Sequence, residues 1–261
     1  VHDGGETSKW RLKKHAEKKF WEWVSSWAVM FQHPKDIGFY DQKGYDLPEL
    51  KIIERKIVTE KRENGKLFND TAVSATTFNQ ELRLTRAERL NIAAEVANST
   101  NEQYLIWVKQ NEEGEYLKKL IPDAVEVQGS DSNETKVENL LAFAAGKIRV
   151  LITKEKIASM GWNFQSCHNQ IFASLDFSFE KVYQAIRRSL RFGQIHAVNV
   201  WLITTDTMSN ILQTYYKKEK QFLKMQSEMT AAVNANLNNE QSLSKEYDTE
   251  TVENEWYTIK R

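Results

Sequence analysis

The chain has 261 residues, 41% hydrophobic and 11% aromatic, enough for one large domain with a sizeable core. Lysine plus arginine and aspartate plus glutamate both number 36, so no global positive field advertises nucleic acid and any such contact must come from local clusters. The single cysteine, Cys167, excludes an internal disulfide and a cysteine-based zinc site and suits a reducing cytoplasm, no uncharged run approaches membrane-spanning length, and a start at Val1 reads as a piece of a longer cytoplasmic protein.

Residues 9–33 read as a helix, with Phe20, Trp23, Val24, Trp27, Ala28 and Phe31 on one face, expected to bury its aromatics on a neighbouring domain. Pro34, Gly38, Gly44 and Pro48 then break the pattern. "LKIIERKIV" reads as a strand and "EKRENGKL" as a turn, as in a hairpin. From about residue 80 the rhythm changes. "TRAERLNIAAEVANS", "EGEYLKKLI", "ETKVENLLAFAAG" and "EKVYQAIRRSLRF" read as helices. Between them, "QYLIWVK", "AVEVQG", "IRVLIT", "NQIFASLD" and "AVNVWLIT" read as strands. A long polar helix from about Met208 follows, then a tail from about Asn234. Short apolar strands alternating with amphipathic helices predict an α/β fold with a mainly parallel central sheet covered on both faces. Ligands of such sheets bind at the carboxyl ends of strands, here after residues 109, 128, 153 and 176.

Two stretches carry charge suited to an anion. "LITKEKIASMGWNFQ" presents Lys154 and Lys156 beside a strand end, then Gly161 and Asn163. Lysines and a threonine there suit a phosphate backbone; a solvated lysine-rich loop is the plainer reading. In "QAIRRSLRFGQ", helical spacing puts Gln184, Arg188 and Arg191 on one stripe and Arg187 off it. Two guanidinium forks one turn apart suit a polyphosphate; a basic face with internal ion pairs is the alternative. The five histidines show no metal spacing, so no metal site is expected.

The order of these segments resembles the second RecA-like domain of superfamily-two helicases, and within them the Swi/Snf-like branch. "KIASMGWNF" is similar to motif V of that branch, with Gly161 and Asn163 at its Gly-x-Asn. "QAIRRSLRFGQ" is similar to motif VI, with Gln184, Arg188, Arg191, Gly193 and Gln194 on its positions. "YLIWVKQNEEGEYL" is similar to motif IV, ending its strand near Lys109, and the following Gly-Ser turn is Gly129–Ser130. The Trp-rich opening resembles the segment between the two motor domains in phage- and prophage-type members. The resemblance spans most of residues 9–225. The pattern departs at Ala158 and Ser159, where the branch has Gly-Gly, and at Glu155, where it has a hydroxyl residue. A carboxylate at that point would repel a DNA phosphate, so contact is expected from Thr153, Lys154 and Lys156.

The resemblance implies a RecA-like three-layer domain at 79–230, an N-terminal segment at 1–78 linking to a first motor domain, and a polar tail at 231–261. It implies an ATP-dependent DNA helicase or translocase, with duplex DNA as partner. None of the ten glycines opens a G-x-x-x-x-G-K-[ST] loop, and no helicase-type Asp-Glu box is present. The first RecA-like domain, which would hold most of the ATP and Mg2+, is therefore absent from this chain, which alone is expected to be inactive. By resemblance Arg188 and Arg191 are arginine fingers, and Gln184, Gly161 and Asn163 line the ATP cleft. Lys109, Gly129, Ser130, Thr153, Lys154 and Lys156 face nucleic acid. The competing reading is a non-catalytic RecA-like module that binds nucleic acid or protein.

Overall fold

A computed structural model describes residues 14–31, 33–38, 43–58, 75–158, 161–175 and 178–243. The expected turn at 60–67, Ser159 and the segment beyond 243 lie outside them. The chain divides into two compact units, residues 43–220 and a second made of 1–42 with 221–261.

In the larger unit six strands form one sheet: β1 (Leu50–Ile57), β2 (Tyr104–Trp107), β3 (Ala124–Val127), β4 (Val150–Thr153), β5 (Asn169–Phe172) and β6 (Val198–Thr205). Their order is β1-β6-β5-β2-β4-β3, and every pairing is parallel. The central strands β2, β4 and β5 are buried at every residue, which is why "YLIW" and "VLIT" are nearly unbroken apolar runs, while β5 opens with two buried amides, Asn169 and Gln170. β1 is an edge strand: Leu50 pairs with Val198 and Ile57 with Thr205.

The helices are α2 (Ala75–Leu84), α3 (Arg86–Asn98), α4 (Asn111–Leu120), α5 (Asn133–Ala144), a single turn α6 (Glu155–Ala158), α7 (Phe179–Ile186) and α8, which begins here within Ser209–Leu243. Leu90, Ala93, Ala97 and Leu117 of α3 and α4 pack against Tyr104, Ile106, Ile152 and Ile171 on one face of the sheet. On the other face Trp107 stacks on Phe172, their rings 6.1 Å apart, and the Trp107 indole donates to Gln170 Oε1 at 2.9 Å. Gln170 Nε2 donates in turn to α7, so α7 covers that face. Alternate strand residues thus fill two cores, the expected three-layer arrangement.

The smaller unit contains α1 (Lys14–Ser25), a 3-10 turn (Pro34–Ile37) and the part of α8 from Gln221 on. Lys224 pairs with Glu17 at 3.0 Å, and the Asn236 amide donates to Ser25 Oγ at 2.6 Å. The helix expected over 9–33 ends at Ser25. The hydroxyls of Ser25 and Ser26 donate to the carbonyls of Glu22 and Trp23 at 2.9 and 2.7 Å, competing with the helical backbone bonds. Trp23 and Trp27 remain 60% and 65% exposed. α8 continues through Asn234 to Leu243.

Candidate functional site

The arginines of "QAIRRSLRFGQ" do not lie on one helix, as their spacing predicts. α7 starts at the Ser178 cap and ends at Ile186. A buried side chain from the sheet closes it: Gln170 Nε2 donates to the carbonyls of Ala185 and Ile186 at 3.3 Å each and to Ser189 Oγ at 2.8 Å. These carbonyls are among the last of the helix, where regular bonding within it runs out. Tight turns follow, with Arg188 N–H donating to Ala185 O at 3.0 Å and Arg191 N–H to Ser189 O at 3.1 Å.

The turns nevertheless bring Arg188 and Arg191 together. Both donate through Nη1 to one acceptor, the carbonyl of Trp162, at 3.2 and 3.4 Å. Arg188 Nε also donates to Gln184 O at 3.1 Å, while the Gln184 amide donates to Glu180 at 3.2 Å. Among the described residues neither guanidinium meets a carboxylate. Burial, and then the positive charge of Arg191, press the affinity of Arg188 for its proton below the ordinary arginine value. The group stays charged at neutral pH. Two adjacent cations sharing one neutral acceptor have the charge and the donors that an anion would need. Arg187 is separate, its guanidinium over the Tyr183 ring 5.0 Å from the centroid.

The partner loop is fastened to these turns. Gly161 takes the left-handed conformation, φ +78°, which a side chain would strain. Asn163 is exposed and makes a local turn, its Oδ1 accepting from Gln165 N–H at 3.3 Å. Phe164 N–H donates to Arg188 O at 2.9 Å. Buried Gln194 donates to the carbonyls of Gln165 and Ser189 at 3.0 and 3.2 Å and accepts from the N–H groups of Ile195 and His196. This glutamine staples the two segments together.

The second expected set lies at the carboxyl edge of the sheet, where β2, β4 and β3 are neighbours. Lys109 follows β2, its ammonium 4.4 Å from the centre of the Phe78 ring. Gly129 and Ser130 follow β3 and are exposed; the Gly129 carbonyl accepts from Lys136 at 2.7 Å. Thr153 ends β4 with its hydroxyl turned inward, donating to Val127 O at 3.0 Å, and only 1% of the residue is exposed. Lys154 reaches Asn111 at the start of α4, and Lys156 is exposed on α6. Of the three lysines only Lys156 is fully exposed, Lys109 and Lys154 being partly buried, while Thr153 braces β4 against β3.

The two sets are apart and joined by one segment. β4 delivers Lys154 at the carboxyl edge, whereas β5 begins at Asn169 beside Tyr104 on the amino edge. Residues 154–158 thus leave the carboxyl edge, and Trp162–Phe164 meet the arginines before β5 begins.

Sequence reading missed a buried ion pair beneath the lysine edge. Arg89 Nη2 and Glu113 Oε1 meet at 2.8 Å, and neither side chain is exposed. Arg89 also donates to Ser174 Oγ, Leu82 O and Thr85 Oγ1 at 2.8, 2.7 and 3.1 Å. Glu113 Oε2 accepts from the N–H groups of Lys109 and Gln110 at 2.9 and 3.0 Å, fixing the loop after β2. Burial works against this carboxylate, but Arg89, the Ser174 hydroxyl and the Gln110 N–H outweigh it and hold the carboxyl below its ordinary range. The only sequence signal is an arginine on the apolar face of "TRAERLNIAAEVAN".

Residues 85–193 match the family of the helicase conserved C-terminal domain. No curated protein sequence matches the chain. Among solved structures it is similar to bacteriophage T4 UvsW, with 14% identity over 68% of this chain and 40% of that one and a TM-score of 0.50. It is also similar to the C-terminal part of the Fun30 ATPase domain, with 20% identity over 49% of this chain and 44% of that one and a TM-score of 0.43. The C-terminal domain of the DEAD-box protein Dbp5 shows 13% identity over 71% of this chain and 97% of that one, with a TM-score of 0.47. The chain spans less than half the length of the UvsW and Fun30 structures. Among the described residues no helix is long and apolar enough to cross a membrane. The parallel six-stranded sheet has the RecA-like fold of helicase C-terminal domains, and four of its strands, β2 to β5, lie within the residues that match that family.

Proposed function

We propose that this chain is the C-terminal motor half of an ATP-dependent DNA helicase or translocase of superfamily two, in its Swi/Snf-like branch. The observation that carries the reading is the convergence of Arg188 and Arg191 on the Trp162 carbonyl, with no carboxylate on either among the described residues. Their role is that of arginine fingers: they leave a neutral acceptor for phosphate oxygens whose negative charge grows during transfer. Gln184 positions Arg188 through its carbonyl, and Gly161 and Asn163 shape the loop that presents Trp162. The residues gathered here suit phosphate oxygens. Magnesium, whose ligands are oxygens, belongs in this proposal to a first motor domain that also cradles the phosphates and is the partner of this one.

Lys109, Lys154 and Lys156, with the exposed backbone of Gly129–Ser130, line the carboxyl edge for a nucleic-acid backbone. Trp162, which accepts from both arginines, lies on the same β4–β5 connection as Lys154 and Lys156, so a shift of the arginines toward phosphate is felt where the strand is held.

Steady-state kinetics of Arg191→Ala in the full-length natural protein test the reading. ATP turnover is expected to fall about a thousandfold or more while nucleotide binding is retained. Near-normal hydrolysis rejects the finger assignment.

A further inference from the structure

Convergence of two like charges has to be imposed. The Nη1 atoms of Arg188 and Arg191 lie 3.2 and 3.4 Å from one oxygen, Trp162 O, and cations that close repel each other. The backbone of the turns after α7 holds them there, and a single side chain of the sheet grips that backbone. Gln170 Nε2 donates to Ala185 O and Ile186 O at 3.3 Å each and to Ser189 Oγ at 2.8 Å. Ala185 O also accepts the N–H of Arg188 at 3.0 Å, and Ser189 O accepts the N–H of Arg191 at 3.1 Å. The amide therefore holds the same two residues that fix the main chain of both arginines.

Packing alone does not call for an amide at this place. Gln170 is fully buried on β5 and pairs across the sheet with Leu105 of β2 and Val200 of β6, both fully buried. An apolar side chain would fill the space, whereas a buried amide costs free energy unless its polar atoms are met. They are met in one orientation. The Trp107 indole can only donate, and it gives its N–H to Gln170 Oε1 at 2.9 Å, which turns Nε2 toward the end of α7. We propose that Gln170 is a positioning residue for ATP hydrolysis: oriented by Trp107, it sets the turns so that Arg188 and Arg191 reach the phosphates together. This rests on the phosphate role proposed above for the arginines.

Steady-state and single-turnover kinetics of the full-length natural protein test it. Gln170→Met keeps an unbranched side chain and removes the donor. Misplacing reacting groups by about 1 Å costs about a hundredfold in rate, so kcat is expected to fall about a hundredfold while KM for ATP holds. In an Arg191→Ala background the same substitution should cost less than about threefold more, because the pair it places is already broken. A protein merely loosened by the change would lose the same factor in both backgrounds, or lose KM along with kcat. Either result overturns the proposal, as does an unchanged kcat. If Gln170→Met does not fold, Ser189→Ala decides. It removes one acceptor and should lower kcat about tenfold at constant KM, and an unchanged kcat overturns the proposal. Failure of the phosphate reading shows separately, as Arg191→Ala leaving turnover intact.

Discussion

Arg89 and Glu113 meet at 2.8 Å with neither side chain reaching solvent, one on α3 and the other on α4. Removing one member leaves an uncompensated buried charge. Glu113→Gln is expected to lower the unfolding free energy by about 3–5 kcal/mol in urea titrations. Replacing both residues by apolar ones, Arg89→Met with Glu113→Leu, should recover most of that loss, because no lone charge remains. A double variant no more stable than the single one contradicts this account.

Acid should weaken the fold through two carboxylates. Glu113 binds its proton more weakly when folded because Arg89, Ser174 and the Gln110 N–H overcome its burial; Asp123 does so because Arg149 donates to it. A depressed folded pKa contributes stability above the ordinary value and loses it as pH falls, here below about 4.5 for Glu113 and 3.8 for Asp123. Melting temperature should therefore fall from about pH 5 downward, and less steeply in Asp123→Asn, which lacks one of the two groups. Parallel curves for the two proteins contradict a role for Asp123.

Cys167 is fully buried, and burial pushes its thiol up to about 12. The thiolate is the reactive form. The folded chain should therefore be inert to a disulfide-exchange reagent at mildly alkaline pH and release one equivalent of chromophore in concentrated guanidinium, since the sequence holds a single cysteine. Rapid reaction of the folded chain would show that residues 161–168 open readily.

Lys154→Gln and Lys156→Gln should weaken nucleic-acid binding uniformly across sequences. Each should reduce the slope of log affinity against log salt by about one in the full-length protein. Thr153→Val, which removes the inward hydroxyl, should leave that slope alone. A salt slope unchanged by both lysine variants removes this edge from the nucleic-acid surface.

Most of the α/β alternation was legible because fully buried parallel strands are short apolar runs, as in "YLIW" and "VLIT". What failed were features decided by distant partners. The periodicity of "EKVYQAIRRSLRF" continues past Ile186, but Gln170 on β5 takes the last helical carbonyls and Ser189, and the backbone turns. Convergence of Arg188 and Arg191 survives for a different reason, the shared Trp162 carbonyl. The Arg89–Glu113 pair joins residues on separate helices and has no local signature. Thr153 looked available because its residue type suits phosphate, yet alternation along β4 and the reach of the Val127 carbonyl turn it inward.

The edge pairing of β1 has a consequence for how the chain comes into being. Leu50 leaves the ribosome well before its partner Val198 is made. At about 5–20 residues per second the interval is on the order of ten seconds. Through that time β1 is an apolar strand without its neighbour, while β2 to β5 can already assemble among themselves. Closing so long a loop comes late in folding. The earliest of the six strands to be made is thus the last to join the sheet, and its charged residues Lys51, Glu54, Arg55 and Lys56 keep it in solution while it waits.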